Sequence, residues 1–97
     1  MTKSEYIRKH AIELDKLHKK MKKCSARYQD PNTSRNQVQK LNAEMNWLGM
    51  QIGQTEERIA FALGYLLPED CQKTWEPSGW HTYPGIQGEL EKVKFEQ

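Results

Sequence analysis

Two long runs of this sequence carry apolar residues with a heptad rhythm, and one proline-bearing break separates them. In the first run the a-type positions are Ile7, Leu14, Met21 and Tyr28, and the d-type positions are His10, Leu17 and Cys24. In the second run the a-type positions are Val38, Met45, Ile52, Ile59 and Leu66, and the d-type positions are Leu41, Leu48, Thr55 and Ala62. This spacing predicts two amphipathic helices that each bury one stripe.

Capping and proline signals set the limits of the two helices. Each run begins with residues at capping-box spacing, Thr2 with Glu5 and Ser34 with Gln37. Pro31 disfavours helical backbone at the residue before it, so the segment QDPNTS ends the first run. We predict helix 1 over residues 2–29 and helix 2 over residues 34–66. Because the connection is short, the helices form an antiparallel hairpin whose arms are each about 40 Å long.

Residues 67–97 follow a different pattern. The segment LLPEDCQKTWEPSGWHTYPG contains three prolines and two tryptophans, with a tyrosine, a cysteine and a histidine. Proline and glycine at this density exclude a long regular element, although Ile86, Leu90 and Val93 permit a short helix near the end. The predicted fold class is therefore all-α, with one domain over residues 1–97 in which a long helical hairpin precedes a Pro/Trp-rich irregular segment.

Positive charge is concentrated in the first third of the chain. Residues 1–29 contain nine Lys or Arg and three acids, whereas residues 65–97 contain three and six. Much of the excess lies on the outer faces of helix 1, at Lys16, Lys19, Lys20, Lys22, Lys23 and Arg27. Such a face can neutralise phosphates or meet an acidic protein surface. No aromatic residue interleaves these lysines, so any direct binding of nucleic acid is expected to be weak.

Patterns typical of catalysis and metal binding are missing from the sequence. It has no Gly-rich phosphate loop and no nucleophile elbow, and nothing evident orients Cys71 and His81 as a thiol–imidazole pair. The remaining His10, His18 and Cys24 lack the short paired spacings of structural zinc. We therefore predict a protein that is not an enzyme and has no cofactor or metal. Two cysteines and no bilayer-spanning apolar stretch predict free thiols in a cytoplasmic setting.

Helix 2 also carries a stripe of small residues away from the seam, namely Gly49, Gly53, Ala60 and Gly64. A glycine inside a helix costs about 1 kcal/mol relative to alanine, so the stripe predicts close approach by another backbone. That backbone could belong to the C-terminal segment, to a second copy of the chain or to an unlike partner.

Aromatic residues and prolines interleave after helix 2. Trp75 and Trp80 can pack onto the hairpin as a third layer, or they can anchor a partner interface. The Leu67–Pro68 and Tyr83–Pro84 pairs are candidates for exposure to a prolyl isomerase or another proline-reading groove.

The basic first helix, the hairpin, the chain length and the proline-bearing loop GYLLPEDCQ together resemble the small anti-RecBCD accessory proteins of lambdoid Salmonella phages. The resemblance covers the whole chain. It implies a non-enzymatic phage protein that acts in the host cytoplasm, where it binds the host RecBCD helicase–nuclease through RecC and changes its processing of linear DNA. It also implies that a host cyclophilin-type prolyl isomerase docks on the proline after the hairpin, which is Pro68 here, between Leu67 and Glu69.

Ten partner-binding residues are therefore predicted. They are Leu67, Pro68, Glu69, Trp75 and Trp80 after the hairpin, and Lys19, Lys20, Lys22, Lys23 and Arg27 on helix 1. Two other functions stay open from the residues alone. One is a small basic DNA-binding accessory protein, and the other is a structural helical hairpin that forms homodimers or larger homo-oligomers.

Overall fold

A computed structural model describes residues 1–71 and 85–96 of the chain. Its helical elements in chain order are α1 (Lys3–Gln29), α2 (Arg35–Ala62), a 3₁₀ turn (Pro68–Asp70) and the single-turn helix α3 (Gln87–Leu90). Helices α1 and α2 pack against each other as a hairpin, and no strand occurs in the two described ranges. The predicted all-α hairpin is confirmed.

Both helix starts are capped at the predicted residues. The Thr2 hydroxyl oxygen accepts a hydrogen bond from the Glu5 N–H at 3.2 Å. Ser34 and Gln37 form a complete capping box, in which each side chain accepts from the other residue's N–H at 3.3 and 3.2 Å. These bonds satisfy donors that the first turn of a helix leaves without partners, so both starts can be read from local sequence.

The connecting loop is held by hydrogen bonds near the end of α1. The Asp30 carboxylate accepts from the Asn32 N–H at 2.9 Å, and the Thr33 hydroxyl donates to the Arg27 carbonyl at 2.6 Å. Because the second bond satisfies a carbonyl in the last turn of α1, the helix ends without an orphaned acceptor there.

One of the two rows of the heptad seam is buried except at its first member, His10, which is half-buried. The buried residues of this row are the d-type positions Leu17, Cys24, Leu41, Leu48, Thr55 and Ala62. Met21, Met45 and Ile52 at a-type positions pack against them and are only partly buried. Thr55 is tolerated in this row because its hydroxyl donates to the Gln51 carbonyl at 2.7 Å.

Tyr28 is an exception to the predicted seam. It was assigned to an a-type position, but its side chain is 42% exposed in the last turn of α1. The chain turns away into the loop at this point, so no further turn of α1 covers the ring.

The predicted end of helix 2 is also corrected. Helix α2 ends at Ala62 and not near residue 66, because Gly64 adopts a φ of +84°. The N–H groups of Gly64 and Tyr65 donate back to the carbonyls of Phe61 and Ala60 at 3.0 and 2.9 Å. This pattern is a Schellman cap, which favours glycine because a β-carbon is disfavoured at positive φ.

Residues beyond this cap form a second cluster instead of extending the seam. Leu66, predicted at an a-type position, packs with Phe61 against the buried Cys71, Ile86 and Leu90. The short C-terminal helix predicted near these residues is confirmed as α3, of which Leu90 is the buried member.

The last described residues return to the open end of the hairpin. The Phe95 ring packs edge-on against Tyr6 with ring centroids 5.3 Å apart, and its centroid lies 5.9 Å from that of Phe61. The Arg58 guanidinium binds both carboxylate oxygens of Glu89 at 3.0 to 3.2 Å. A third layer therefore exists at this end, formed by residues other than those predicted for it. The tryptophans proposed for it, Trp75 and Trp80, lie outside the described residues.

The small-residue stripe has no single explanation in the described residues. Gly64 is the helix cap, and a β-carbon added at Gly49 would only touch the terminal methyl of Met21 at 3.9 Å. A β-carbon at Gly53 would meet no described atom within 4 Å. No backbone of the described residues approaches the stripe, so the predicted reason for it stays without support there.

Two glycine-to-alanine substitutions should change the free energy of unfolding in opposite directions. Gly64→Ala should lower it by about 1–2 kcal/mol, because the cap requires positive φ. Gly53→Ala should raise it by up to about 1 kcal/mol, because alanine favours helix and the site is open. Urea unfolding followed by circular dichroism measures both, and changes of the same sign would contradict the assignments.

Candidate functional site

The proline singled out by sequence lies in a short, hydrogen-bonded turn, the Pro68 turn (residues 67–71). The Leu67 N–H donates to the Asp70 carboxylate at 3.2 Å, and the Asp70 N–H donates to the Leu67 carbonyl at 2.9 Å. The Cys71 N–H donates to the Pro68 carbonyl at 3.1 Å. Proline suits the first position of such a turn, because its φ is already fixed and its missing N–H is not needed.

The side chains around this proline face solvent. Tyr65 is 84% exposed and Leu67 is 57% exposed, which are high values for large apolar residues. Glu69 is exposed and Pro68 itself is half-buried. Leu67 and Glu69 are therefore accessible and Pro68 is partly accessible; that the three bind a partner stays a prediction.

Cys71 fixes the Pro68 turn to the body of the protein. It is 1% exposed, it belongs to the cluster with Ile86 and Leu90, and its carbonyl accepts from the Gln87 N–H at 3.2 Å. Burial raises the pKa of its thiol, and the nearby Glu57 and Asp70 carboxylates raise it further. The thiol is therefore protonated at neutral pH and serves as a packing group.

The basic residues of α1 form a second exposed group, the basic face (Lys16, Lys19, Lys20, Lys22, Lys23 and Arg27). All six are exposed. Within the described ranges only Lys19 forms an ion pair, with Asp15 at 2.9 Å, and both side chains of that pair are largely in solvent. Exposed pairs of this kind contribute little stability, so the charge of the face remains available for a partner.

The other sequence candidates for chemistry differ in burial: Cys24 is buried, His10 is half-buried and His18 is exposed. Cys24 lies in the seam, where burial raises the pKa of its thiol and the facing Glu44 carboxylate raises it further. His10 packs its ring edge-on against Tyr6 with centroids 4.4 Å apart. No group of three or more His, Cys, Asp or Glu side chains suited to a metal ion occurs among residues 1–71 and 85–96.

A polar cluster joins the hairpin to the C-terminal layer. Tyr6 is 5% exposed, and its hydroxyl has no hydrogen-bond partner in the described part of the chain. Burial raises the pKa of this hydroxyl; Glu89 raises it further and Arg58 opposes the rise. Sequence reasoning missed Tyr6 because it precedes the first a-type position, and its burial depends on Phe95 packing from the far end of the chain.

Trp47 is the surface residue that sequence reasoning overlooked. It lies in the middle of α2 on no seam position and is 59% exposed. Its exposure could be predicted from the heptad pattern, which leaves it outside the buried rows. Its position relative to the lysines of α1 could not be predicted, because that position depends on how the two helices align.

Several residues named in the predictions lie outside the described ranges. Trp75 and Trp80, and the Tyr83–Pro84 pair that was the second candidate for exposure, fall outside the described residues, as does His81. The described part of the predicted partner-binding group therefore divides into two surfaces. The basic face lies on α1, and the Pro68 turn follows the end of α2.

His10 should make folding stability depend on pH. Burial is the main cause that lowers its pKa below 6.5; Arg58 and Lys9 add to the decrease, whereas Glu89 and Glu13 oppose it. The folded protein thus binds this proton more weakly than the unfolded chain, so the stability contributed by neutral His10 is present above about pH 6.5 and is lost as the pH falls below it.

Urea unfolding from pH 7.5 down to pH 5 checks this expectation. His10→Gln should flatten the decrease in unfolding free energy; the exposed His18, replaced in the same way, provides the matched control variant. An equal slope in wild type and His10→Gln would show that the imidazole is not the responsible group.

Comparison with protein-family models, with curated proteins and with solved structures finds no match to this chain. Neither long helix of the described ranges contains the extended apolar stretch that a bilayer crossing would need. The functional proposal therefore depends on the Pro68 turn and the basic face.

Proposed function

We propose that this chain is a non-enzymatic phage protein that binds the host RecBCD helicase–nuclease through its RecC subunit and modifies its processing of linear DNA. In this proposal the basic face provides the main contact. The Pro68 turn recruits a host cyclophilin-type prolyl isomerase to the same complex. The protein acts in the host cytoplasm by contact alone.

The observation that carries the proposal is the way Pro68 is displayed. The exposed Leu67 side chain borders the Leu67–Pro68 peptide bond. The buried Cys71 anchors the last residue of the turn to the body of the protein. Grooves that read proline need an accessible X-Pro segment. An anchored turn at the end of a rigid hairpin meets that requirement and loses little entropy on binding.

The charge distribution supports the larger contact. The basic face presents six cations along α1, of which only Lys19 is paired among the described residues. A long-range positive field accelerates encounter with an acidic or DNA-adjacent surface, and it weakens as salt is added. A helical hairpin can lie along a large partner without unfolding, since its seam is already closed by its own residues.

Pro68→Ala should abolish capture of a purified bacterial cyclophilin-type isomerase, with a loss of affinity of about tenfold or more. Pro31→Ala is the matched control, because Pro31 lies in the exposed loop between α1 and α2. Isothermal titration calorimetry measures both affinities, and circular dichroism should show equal helicity. Undiminished binding by Pro68→Ala would remove this residue from the assigned role.

Replacing Lys19, Lys20, Lys22 and Lys23 by Gln should weaken binding to purified RecBCD, and the loss should be largest at low salt. The control replaces Lys92 and Lys94, which are exposed near the other end of the chain. Surface plasmon resonance at several salt concentrations measures the effect. If the four-lysine variant binds as wild type does at every concentration, then the basic face is solvated surface only.

A further inference from the structure

The alignment of the two long helices places Trp47 beside the basic face. One contact and two electrostatic neighbours indicate the alignment. The terminal methyl of Met21 lies 3.9 Å from the β-carbon position of Gly49, Glu44 is close enough to Cys24 to raise the pKa of its thiol, and Arg58 is close enough to His10 to lower the pKa of its imidazole. Because the helices are antiparallel, residues at the same level have residue numbers with a nearly constant sum, and in these pairs the sum is between 68 and 70. Trp47 therefore lies level with residues 21–23 of α1.

The contact between Cys24 and Glu44 also shows which side of the hairpin Trp47 occupies. On α1, Lys20 lies four residues before Cys24 and Arg27 lies three residues after it. Both therefore lie along the same side of that helix as Cys24. On α2, Trp47 follows Glu44 by three residues and shares its side. Because Glu44 is close enough to Cys24 to raise the pKa of its thiol, these two sides adjoin. Trp47 and the lysines then lie on the same side of the hairpin.

The surroundings of Trp47 are cationic. The exposed cations on this side are Lys16, Lys20, Lys23 and Arg27 of α1 and Lys40 of α2. None of these five forms an ion pair within residues 1–71 and 85–96. Glu44 is the nearest opposing carboxylate on α2. The Lys16–Arg27 row extends for about 16 Å, a length of a few phosphates in an extended strand.

We infer that this side of the hairpin, the Trp47 platform (Trp47 with Lys16, Lys20, Lys23, Arg27 and Lys40), binds single-stranded nucleic acid. The cations contact the phosphates of the strand, and the exposed indole stacks on one base. Stacking on an aromatic ring is tolerant of sequence because every base has a flat face, so binding should show little base preference.

A single strand accounts for this surface better than a protein partner does. A protein interface surrounds its aromatic anchor with further apolar residues and is depleted of lysine. Glu44 and Gln51 flank Trp47 on the side of α2 nearer the lysines, with Lys40 one turn further on, whereas its apolar neighbours Ala43 and Met50 lie on the other side of the ring. An intact duplex is also a poor fit, because its bases are already stacked on one another and cannot reach the ring.

The inference does not depend on the proposed RecBCD contact, and the isolated protein tests it. Fluorescence anisotropy with labelled oligo(dT) of about 15 nucleotides should show binding that is tighter than binding to a duplex of the same length. Trp47→Ala should weaken oligo(dT) binding about tenfold, while Trp47→Phe, which keeps a stacking ring, should retain most of the affinity. Because Trp47 is largely exposed, circular dichroism should show both variants fully folded.

The salt dependence separates the two kinds of contact. Trp47→Ala should leave the slope of log affinity against log salt unchanged. Replacing Lys20 and Lys23 by Gln should reduce the magnitude of the slope by about 1.4, since each phosphate contact on a single strand contributes about 0.7. The same replacement at Lys92 and Lys94 is the control and should not change the slope.

Two results would overturn the inference. Equal affinity for duplex and single strand, with no effect of Trp47→Ala, would mean that the basic face attracts phosphates without stacking. No binding of either nucleic acid at low salt would mean that these cations serve a protein surface instead. Neither result would bear on capture of the isomerase, which depends on Pro68. The RecBCD contact shares Lys20 and Lys23 with this surface, but it is measured on purified RecBCD without DNA, and Trp47→Ala should leave it unchanged.

Discussion

The rest of the structure depends on one buried row of side chains between α1 and α2. Leu17 and Cys24 from the first helix pack with Leu41 and Leu48 from the second, and this contact fixes the alignment of the two helices. Each buried aliphatic side chain contributes about 1.5–3 kcal/mol, so the row is the main source of stability along the middle of the hairpin. A slip of one turn would move the opposing residues by about 5 Å and would change which lysines lie level with Trp47.

Much of the fold could be predicted from sequence because its signals are local. The capping boxes at Thr2 and Ser34 set both helix starts, and the structure contains both. The end of α2 was missed because Gly64 was interpreted as one member of a small-residue stripe. Its true role depends on a positive φ, which follows from how the chain leaves the helix and not from composition. Leu66 was assigned to an a-type position because the helix was taken to continue through Gly64, whereas α2 ends at Ala62.

The surfaces were less predictable than the helices. The Pro68 turn could be identified because prolines, aromatic residues and an abrupt end to the heptad coincide in the sequence. The basic face could be identified from lysine density alone. The position of Trp47 relative to that face could not be predicted, because the two lie on different helices and about twenty-five residues apart. The inferred Trp47 platform depends on the alignment that the seam sets. The C-terminal layer was expected from tryptophans, yet in the described residues Phe95, Ile86 and Leu90 supply it.

The central claim is that a rigid hairpin presents an isomerase-docking turn and a separate basic surface for a helicase–nuclease. Affinity purification of the tagged chain from a bacterial lysate, followed by mass spectrometry, tests it most directly. The account predicts that wild type captures both RecBCD and a cyclophilin-type prolyl isomerase, and that Pro68→Ala loses only the isomerase. A preparation that captures neither protein, yet is fully helical, would contradict the proposed function.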